Sequence, residues 1–278
     1  MFVDGAKDSL QFETDANRFE ETAMTSKSQE TVVAAQFGPR AAAYVTSAVH
    51  SQGPDLEELA ALVSGHPQAR VLDLGCGGGH VGFHAAPHVR EVVCYDLSDD
   101  MLQAVAAEAA RRGLANIVTR RGEAETLPFD DGGFDFVLSR YSAHHWRDVP
   151  AGLHEARRVL KAGGQAAFVD AVSPGAPLLD TYLQAIELLR DPSHVRDYSI
   201  EEWTRMAEDA GFAARLQARR RLRLDFASWI RRMATPEVQV QAIRALQAAM
   251  AGEVVRHFEI EADGSFTIDT MTLTLLPA

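Results

Sequence analysis

Short apolar runs alternate with helical segments through the middle of the chain, and this alternation constrains the fold more than any other feature. Each run is apolar along most of its length, as expected for strands that are buried on both faces. The predicted strands are residues 70–74, 91–95, 117–119, 134–139 and 165–172, and the predicted helices between them are residues 80–86, 99–112 and 150–160. Strands and helices in this order form a parallel sheet with right-handed crossovers. The pattern therefore predicts an α/β fold.

The segments on either side of this core have a different texture. Residues 1–30 are polar, acidic and aperiodic, which predicts a flexible extension. Residues 31–66 form a predicted helical cap on a core of residues 67–172, and residues 173–278 are mostly helical. Further predicted elements are helices at 31–51, 56–64, 178–189, 199–210, 226–233 and 236–250, and a last strand at 265–276. Because no linker separates the late helices from the core, we expect one domain over residues 31–278, with these helices as a lid.

Composition narrows the possible partners. The chain has 27 Lys and Arg against 39 Asp and Glu, a formal net charge of −12. An acidic surface repels a phosphate backbone, so nucleic acid is not the expected partner. The 2 cysteines are too few for a disulfide framework or a four-ligand zinc site, and a reducing, cytoplasmic setting is expected. No signal-peptide pattern opens the sequence, and Gln36, Pro39 and Arg40 interrupt the longest apolar-looking stretch near it, so no membrane span is predicted.

A glycine-rich segment stands where the first predicted strand turns into a helix. Residues 71–80 read VLDLGCGGGH, in which Gly75 and Gly77 allow a sharp turn and let a ligand approach backbone amides. Asp96 follows 19 residues after Gly77, where its carboxylate can accept hydrogen bonds from both hydroxyls of a ribose. The combination indicates a nucleoside cofactor. A dinucleotide fingerprint would need Gly or Ala in place of His80, and the acid at Asp73 suits an ammonium group better than a pyrophosphate.

Four segments together resemble the class I S-adenosylmethionine-dependent methyltransferases, and within them the ubiquinone/menaquinone-type (type 11) small-molecule group. These segments read VLDLGCGGGH, YDLSDDML, GEAETLPFDDGGFDFVLSRYSAHHW and EARRVLKAGGQAAFVD, and the resemblance runs from about residue 36 to the end of the chain. It implies a Rossmann-like, doubly wound, mostly parallel seven-stranded sheet with a helical lid. It also implies S-adenosylmethionine as cofactor and S-adenosylhomocysteine as product.

The resemblance implies a set of cofactor contacts. Asp73 and the two glycines would surround the methionine part, Asp96 would hold the ribose, and Leu97 would pack on the adenine with Met101. Glu123 stands where family members usually have Asp, and its carboxylate would accept a hydrogen bond from the adenine amino group. Tyr44 would contact the cofactor from a closing helix. The full set is Tyr44, Asp73, Gly75, Cys76, Gly77, His80, Asp96, Leu97, Met101, Glu123, Ala124 and Arg140.

The reacting centre is expected at the carboxyl ends of the fourth and fifth strands. Methyl transfer needs an in-line nucleophile, and a general base if the acceptor is a hydroxyl, an ammonium or an enolisable carbon. His144 or His145 can serve as that base, since imidazole titrates near neutral pH, and Asp170 opens on the same crevice. The structural alternative is that one histidine packs under Trp146 while the other caps the loop.

Other polar groups have weaker patterns. Tyr141 is a candidate acceptor contact, and Arg190, His194 and Arg196 either bind an anionic group of the acceptor or tether a loop through salt bridges. The basic cluster consists of the arginines of residues 219–223, with Arg231 and Arg232 further on. It either receives an anionic substrate or RNA or lies on the solvated face of an edge strand, and the solvated face is expected. The histidines at positions 80, 84 and 88 share a helical spacing, but Pro87 ends that helix and no acid completes a metal site, so none is predicted.

We therefore expect methyl transfer from S-adenosylmethionine to a small organic acceptor, at carbon, oxygen or nitrogen. The fourth strand is not followed by the [DN]-P-P-[YFW] motif of amino-methylating DNA enzymes, and neither cysteine suits cytosine-5 chemistry. One rival is an RNA- or tRNA-modifying methyltransferase that uses the arginines of residues 219–223. The other is a regulatory protein that binds S-adenosylmethionine without turnover. The acceptor's identity and the oligomeric state stay open.

Overall fold

The computed structural model of the protein describes residues 27–41, 45 and 52–278. Residues 1–26, most of the second half of the helix predicted at 31–51, and the predicted cofactor contact Tyr44 lie outside the described residues.

A seven-stranded, mostly parallel sheet forms the centre of the fold, as predicted. Its strands are β1 (Arg70–Leu74), β2 (Glu91–Asp96), β3 (Ile117–Arg121), β4 (Phe134–Arg140), β5 (Leu160–Val172), β6 (Phe212–Leu224) and β7 (Phe266–Pro277). The strand order is β3-β2-β1-β4-β5-β7-β6. The first five strands pair in parallel, whereas β7 runs antiparallel to both β5 and β6. Because the chain leaves β1 toward β2 and later returns to β4 on its other side, a crevice opens at the carboxyl end of β1.

The described α-helices cover both faces of this sheet. They are α1 (Gln29–Phe37), α2 (Pro54–Val63), α3 (His80–Ala85), α4 (Asp99–Arg112), α5 (Val149–Val159), α6 (Pro177–Arg190), α7 (Ile200–Asp209), α8 (Phe226–Met233), α9 (Glu237–Ala249) and α10 (Gly252–His257). Most bounds agree with the predicted helices to within two residues. Helix α10 was missed because six residues are too few to establish a helical period. Within the described part of the chain, no helix is long and apolar enough to cross a bilayer.

The late helices pack on the antiparallel end of the sheet. Tyr182 of α6, Trp229 of α8 and Ile243 of α9 are buried in one cluster with Phe266 and Ile268 of β7. Two further clusters cover the two faces of the parallel strands. The lid helices are therefore joined to the sheet by a continuous apolar core.

A β-bulge in β6 changes which residues face the helices. The register shifts between Leu216 and Ala218, so one extra residue, Gln217, reverses the side-chain alternation along the strand. Beyond the bulge, Leu222 and Leu224 join the cluster under the lid helices. The prediction that all arginines of residues 219–223 lie on a solvated face was therefore wrong in part, because Arg220 shares the inner side with these leucines.

Candidate active site

A cavity of about 400 Å³ opens at the carboxyl ends of β1, β2, β4 and β5. One end is bordered by the glycine loop after β1 and by Asp96 at the end of β2. The other end extends past Tyr141 and the two histidines toward Trp229 on α8. The cavity thus joins the predicted cofactor residues to the predicted reacting centre.

Backbone hydrogen bonds hold the glycine loop in place, and Gly75 and Gly77 both have a positive φ. The N–H groups of Gly75 and Cys76 both donate to the Tyr95 carbonyl, at 2.8 and 3.0 Å. Gly75 has a φ of +70°, and a Cβ there would lie 1.8 Å from the Ser142 hydroxyl. Gly77 has a φ of +47° and open space where its Cβ would be, so a ligand can reach its backbone. The loop after β1 and the loop after β4 are therefore in direct contact at the centre of the site.

Gly75→Ala is expected to destabilise the protein more than Gly113→Ala. Both glycines have a φ of +70°, but a Cβ at Gly113 meets nothing within 4 Å. The Gly113 variant isolates the cost of the left-handed backbone, about 1–2 kcal/mol. The Gly75 variant adds a steric clash, with a further cost of about 1–3 kcal/mol. Urea unfolding measures both free energies, and equal losses would contradict the contact between the two loops.

The carboxylate of Asp96 connects the glycine loop after β1 to the turn after β2. Its Oδ2 accepts a hydrogen bond from the Gly77 N–H at 2.8 Å, and its Oδ1 accepts one from the Ser98 N–H at 2.9 Å. Each oxygen has a second lone pair, and the side chain lines the cavity. The carboxylate is thus fixed in place and still able to accept hydrogen bonds from a ligand.

Asp73 supplies a second, deeper carboxyl group. It is 1% exposed, and its Oδ2 accepts a hydrogen bond from the Gly82 N–H at 2.9 Å. Its Oδ1 is buried and has no hydrogen-bond partner among the described residues. Burial raises the pKa of Asp73 to about 7. A buried carboxyl oxygen without a partner beside the cavity fits a ligand that brings a cationic or hydrogen-bond-donating group.

The adenine end predicted from the resemblance lies at the mouth of the cavity. Leu97, Met101 and Ala124 line it, as does Glu123, whose side chain is 41% exposed. The Glu123 carboxylate pairs with Arg147 at 3.3 Å, and Arg147 also pairs with Glu30 of α1 at 2.6 Å. The same arginine therefore links the predicted adenine contact to the first helix.

His144 lines the cavity and forms a close pair with Asp170, which does not line it. The expectation that Asp170 opens on the same crevice was therefore wrong, because Asp170 is connected to the cavity only through His144. The Nδ1 of His144 lies 2.6 Å from the Asp170 Oδ1, and Asp170 is 2% exposed. Burial alone would lower the pKa of His144, but the charge and the hydrogen bond of Asp170 outweigh it and raise that pKa to about 9. His144 is therefore an imidazolium at neutral pH.

His145 has the opposite character. Burial and the positive charge of His144, whose ring centroid is 4.2 Å away, lower the pKa of His145 to about 4. Its Nδ1 lies 3.2 Å from the Ser193 carbonyl and 3.3 Å from the Ser193 hydroxyl, and that hydroxyl donates to Asp191 at 2.6 Å. Both Ser193 oxygens thus accept from Nδ1, which leaves Nε2 of a neutral His145 able to take a proton.

Asp170→Asn is expected to reverse the protonation of His144. Without the carboxylate, burial dominates, and the pKa of His144 should fall from about 9 to below its ordinary 6.5. Histidine ring signals in an NMR titration measure this pKa. An unchanged titration of His144 in the variant would contradict the pairing.

The predicted acceptor contacts divide into two groups. Tyr141 and Arg190 line the cavity, whereas His194 and Arg196 do not. His194 is buried and its Nε2 lies 2.9 Å from the Gln184 Oε1, while Arg196 pairs with Asp180 at 3.1 Å. For these two residues the expectation of an acceptor contact is corrected: both tether the loop between α6 and α7.

Of the remaining predicted cofactor contacts, Arg140 has a charged partner within the protein, and Cys76 and His80 are part of the cavity wall. Arg140 forms a buried ion pair with Asp55 of α2, and its guanidinium lies 4.8 Å from the centroid of the Tyr141 ring. Cys76 and His80 are buried and line the cavity. Among the described residues, no cluster of His, Cys, Asp or Glu could hold a metal ion.

Apolar residues that sequence reasoning missed form the walls at the acceptor end. They are Val33, Phe37, Ala171, Leu222, Leu224, Trp229, Met233 and Ile268. They come from α1, the end of β5, strands β6 and β7, and α8, so they do not form a motif that is local in sequence. The apolar stripe of α8 was the one usable signal, because it indicates that one face of the helix is buried. It does not indicate that this face borders a cavity.

Comparison with known proteins identifies the family of this fold. A family model described as a methyltransferase domain matches residues 72–168. The chain is 48% identical to the uncharacterised protein YafE of Escherichia coli K12 over 195 residues, which cover 70% of this chain and 94% of YafE. It is 36% identical over 200 residues to the uncharacterised methyltransferase YcgJ of Bacillus subtilis, covering 72% of this chain and 79% of YcgJ. The crystal structure of YcgJ superposes with a TM-score of 0.78 at 31% identity, over 80% of this chain and 97% of that structure.

A more distant relative has a named substrate. The demethylmenaquinone methyltransferase of Lactococcus lactis is 35% identical over 121 residues, which cover 42% of this chain and 47% of that enzyme. The fold is that of a Rossmann-like methyltransferase. The chain belongs to the type 11 family of class I methyltransferases.

Proposed function

We propose that this methyltransferase uses S-adenosylmethionine to methylate a small, largely apolar acceptor that carries a weakly acidic hydroxyl. The observation that carries the proposal is the continuous cavity. One half has a nucleoside-type carboxylate and a glycine loop, and the other half has two histidines surrounded by apolar walls. A small acceptor can enter the second half beside a cofactor in the first.

The residues of the cofactor half fit S-adenosylmethionine. Asp96 would hold the ribose hydroxyls, the backbone at Gly77 would face the methionine part, and the free Oδ1 of Asp73 would receive a hydrogen bond there. Leu97 and Met101 would cover the adenine. When bound, the cofactor supplies an electrophilic methyl group on a sulfonium centre.

His145 would take the proton that the acceptor loses. A hydroxyl oxygen becomes far more acidic as its new bond to carbon forms, so a weakly basic imidazole suffices. The Nε2 of His145 can accept that proton, since Nδ1 donates to Ser193. The Asp170–His144 ion pair would keep the second imidazole charged and fixed beside it. The two histidines thus carry one positive charge between them from about pH 4 to about pH 9.

The acceptor half favours a neutral molecule with an apolar body. Its charges are mostly paired within the protein: Arg190 with Glu187 at 3.1 Å, and Arg220 with Glu58. Apolar side chains cover the space between these pairs and the histidines. A phenol or an enol fits, methylated at its oxygen or at the carbon that the hydroxyl activates. The demethylmenaquinone enzyme of Lactococcus lactis, whose name places it on a quinone, is consistent with this class.

The two rival functions have less support. An RNA-modifying enzyme would need free cations, yet Arg219 pairs with Asp269 at 3.1 Å and Arg223 pairs with Glu261 at 2.6 Å. A regulatory protein without turnover would have an occluded acceptor pocket, whereas this cavity extends past Tyr141 to Trp229. Both observations favour a small-molecule enzyme.

The test uses the full chain and S-adenosylmethionine with a labelled methyl group. The acceptor panel contains 1-naphthol, 1,4-dihydroxynaphthalene kept reduced, an aliphatic amine and a mixed tRNA pool. We expect label in a naphthol product, detected by mass spectrometry together with stoichiometric S-adenosylhomocysteine. Label in tRNA that disappears steeply with added salt would favour the RNA enzyme. Cofactor binding by calorimetry without label in any acceptor would favour the regulatory protein.

A further inference from the structure

Tyr141 has an unusual backbone conformation for a bulky residue. It follows directly after β4 with a φ of +50°. Residues other than glycine and asparagine rarely adopt this region of backbone conformation. Within the described part of the chain, the other non-glycine residues with positive φ are Ala234 and Glu259, each just after a helix. Tyr141 differs from both because it lines the cavity.

The surrounding structure holds this conformation in place. The Tyr141 N–H donates to the Val169 carbonyl at 2.8 Å, and the Arg140 guanidinium lies 4.8 Å from the centroid of the Tyr141 ring. The turn brings the next residue, Ser142, against Gly75 and starts the loop that carries both histidines. Strained residues that are held this firmly cluster at functional sites.

The hydroxyl group of Tyr141 is set to donate a hydrogen bond. Burial raises the pKa of Tyr141 to about 12, so the group stays protonated at neutral pH, and the Thr270 side chain offsets part of this rise. A hydroxyl lowers a tyrosine pKa by donating toward the phenol oxygen, which leaves the phenolic hydrogen for a partner in the cavity. Thr270 pairs across the sheet with Ala171, whose small side chain leaves room above it.

We propose that Tyr141 determines acceptor specificity by donating a hydrogen bond to the acceptor's oxygen, over the floor formed by Ala171 and Thr270. The inference rests on the proposed function and adds a specificity residue to it. In this arrangement the donor at Tyr141 and the neutral imidazole of His145 contact one acceptor oxygen: Tyr141 orients it, and His145 takes its proton. The left-handed turn places the ring at the cavity in this arrangement.

The test compares Tyr141→Phe with Tyr182→Phe, a matched change in the core under the lid helices. With the naphthol methylated in the panel, Tyr141→Phe is expected to raise the acceptor KM about 5- to 50-fold, the cost of one lost hydrogen bond. Calorimetric affinity for S-adenosylhomocysteine and Tm should stay unchanged. Tyr182→Phe should change neither kinetic constant. An acceptor KM unchanged in Tyr141→Phe would overturn the inference, as would equal losses in both variants.

A second measurement tests the role of Tyr141 without any turnover. If no panel compound is methylated, that result counts against the proposed function alone. Crystals with S-adenosylhomocysteine are soaked with phenol, the smallest probe of the acceptor class. A phenol oxygen within hydrogen-bond distance of the Tyr141 hydroxyl supports the assignment. Phenol bound elsewhere, or absent from the cavity at saturating concentration, overturns it.

Discussion

Replacing Asp96 with alanine is expected to weaken the binding of S-adenosylmethionine by at least about 100-fold. The ribose would lose two charge-assisted hydrogen bonds to the carboxylate, each contributing about 1.5–3 kcal/mol. The Gly77 N–H would also lose its acceptor, which lies 2.8 Å away in the native protein, so the glycine loop would lose its fixed shape. Isothermal titration calorimetry with S-adenosylhomocysteine measures the loss without any acceptor.

Two further variants test the charge of Asp96 and control for the loss of a nearby acid. Asp96→Asn keeps one acceptor oxygen but not the charge, and it should bind with an intermediate affinity. Asp99→Asn changes an exposed acid that pairs with Arg121 at 3.0 Å, and it should bind normally. An unchanged affinity in Asp96→Ala, with a normal Tm, would show that this carboxylate does not hold the ribose.

Replacing His145 with alanine is expected to lower kcat/KM for a neutral hydroxyl acceptor by a factor of about 100 to 10,000. The variant lacks the one imidazole in the pair that is neutral at pH 7, because the lowered pKa of His145, about 4, keeps it unprotonated there. An acceptor that is already ionised needs no base. A nitro-substituted naphthol should therefore lose much less activity in the variant than 1-naphthol does.

The control for this prediction is His154→Ala, which removes an exposed histidine on α5. It should leave both acceptors unaffected. If His145→Ala slowed the ionised and the neutral acceptor equally, His145 would be a packing residue and not the base. If neither reaction slowed, proton transfer would not involve this residue.

The parallel core could be predicted because its signals are local. Each of the five strands predicted for the parallel core is present, and Gly75 and Gly77 stand at the turn where the sequence places them. A strand, a tight turn and a helix that follow one another need only short-range information. The glycine loop and Asp96 therefore fall at one end of the cavity as expected.

The acceptor half could not be predicted in the same way. Its walls come from α1, α8 and β6, which meet only in the folded chain. The bulge at Gln217 decides which face of β6 points inward, and a single extra residue has no signature in composition or period. Tyr141 departs from local backbone preference, so propensity argues against the conformation that it adopts.

Two of the predicted acceptor contacts show the opposite error. His194 and Arg196 have polar side chains near the site in sequence, yet both are used to fasten a loop. A histidine or arginine that bonds to a neighbouring amide or acid cannot be told apart in sequence from one that binds a ligand. Only the hydrogen-bond and ion-pair partners in the folded chain distinguish the two.

The most direct test of this account is a crystal structure with S-adenosylhomocysteine bound. The account predicts the ribose hydroxyls on Asp96, the adenine against Leu97 and Met101, and the sulfur facing the compartment between His145 and Tyr141. A ligand bound outside this cavity would contradict the account. So would a sulfur atom that faces away from the two histidines, because no acceptor could then reach the methyl group beside a base.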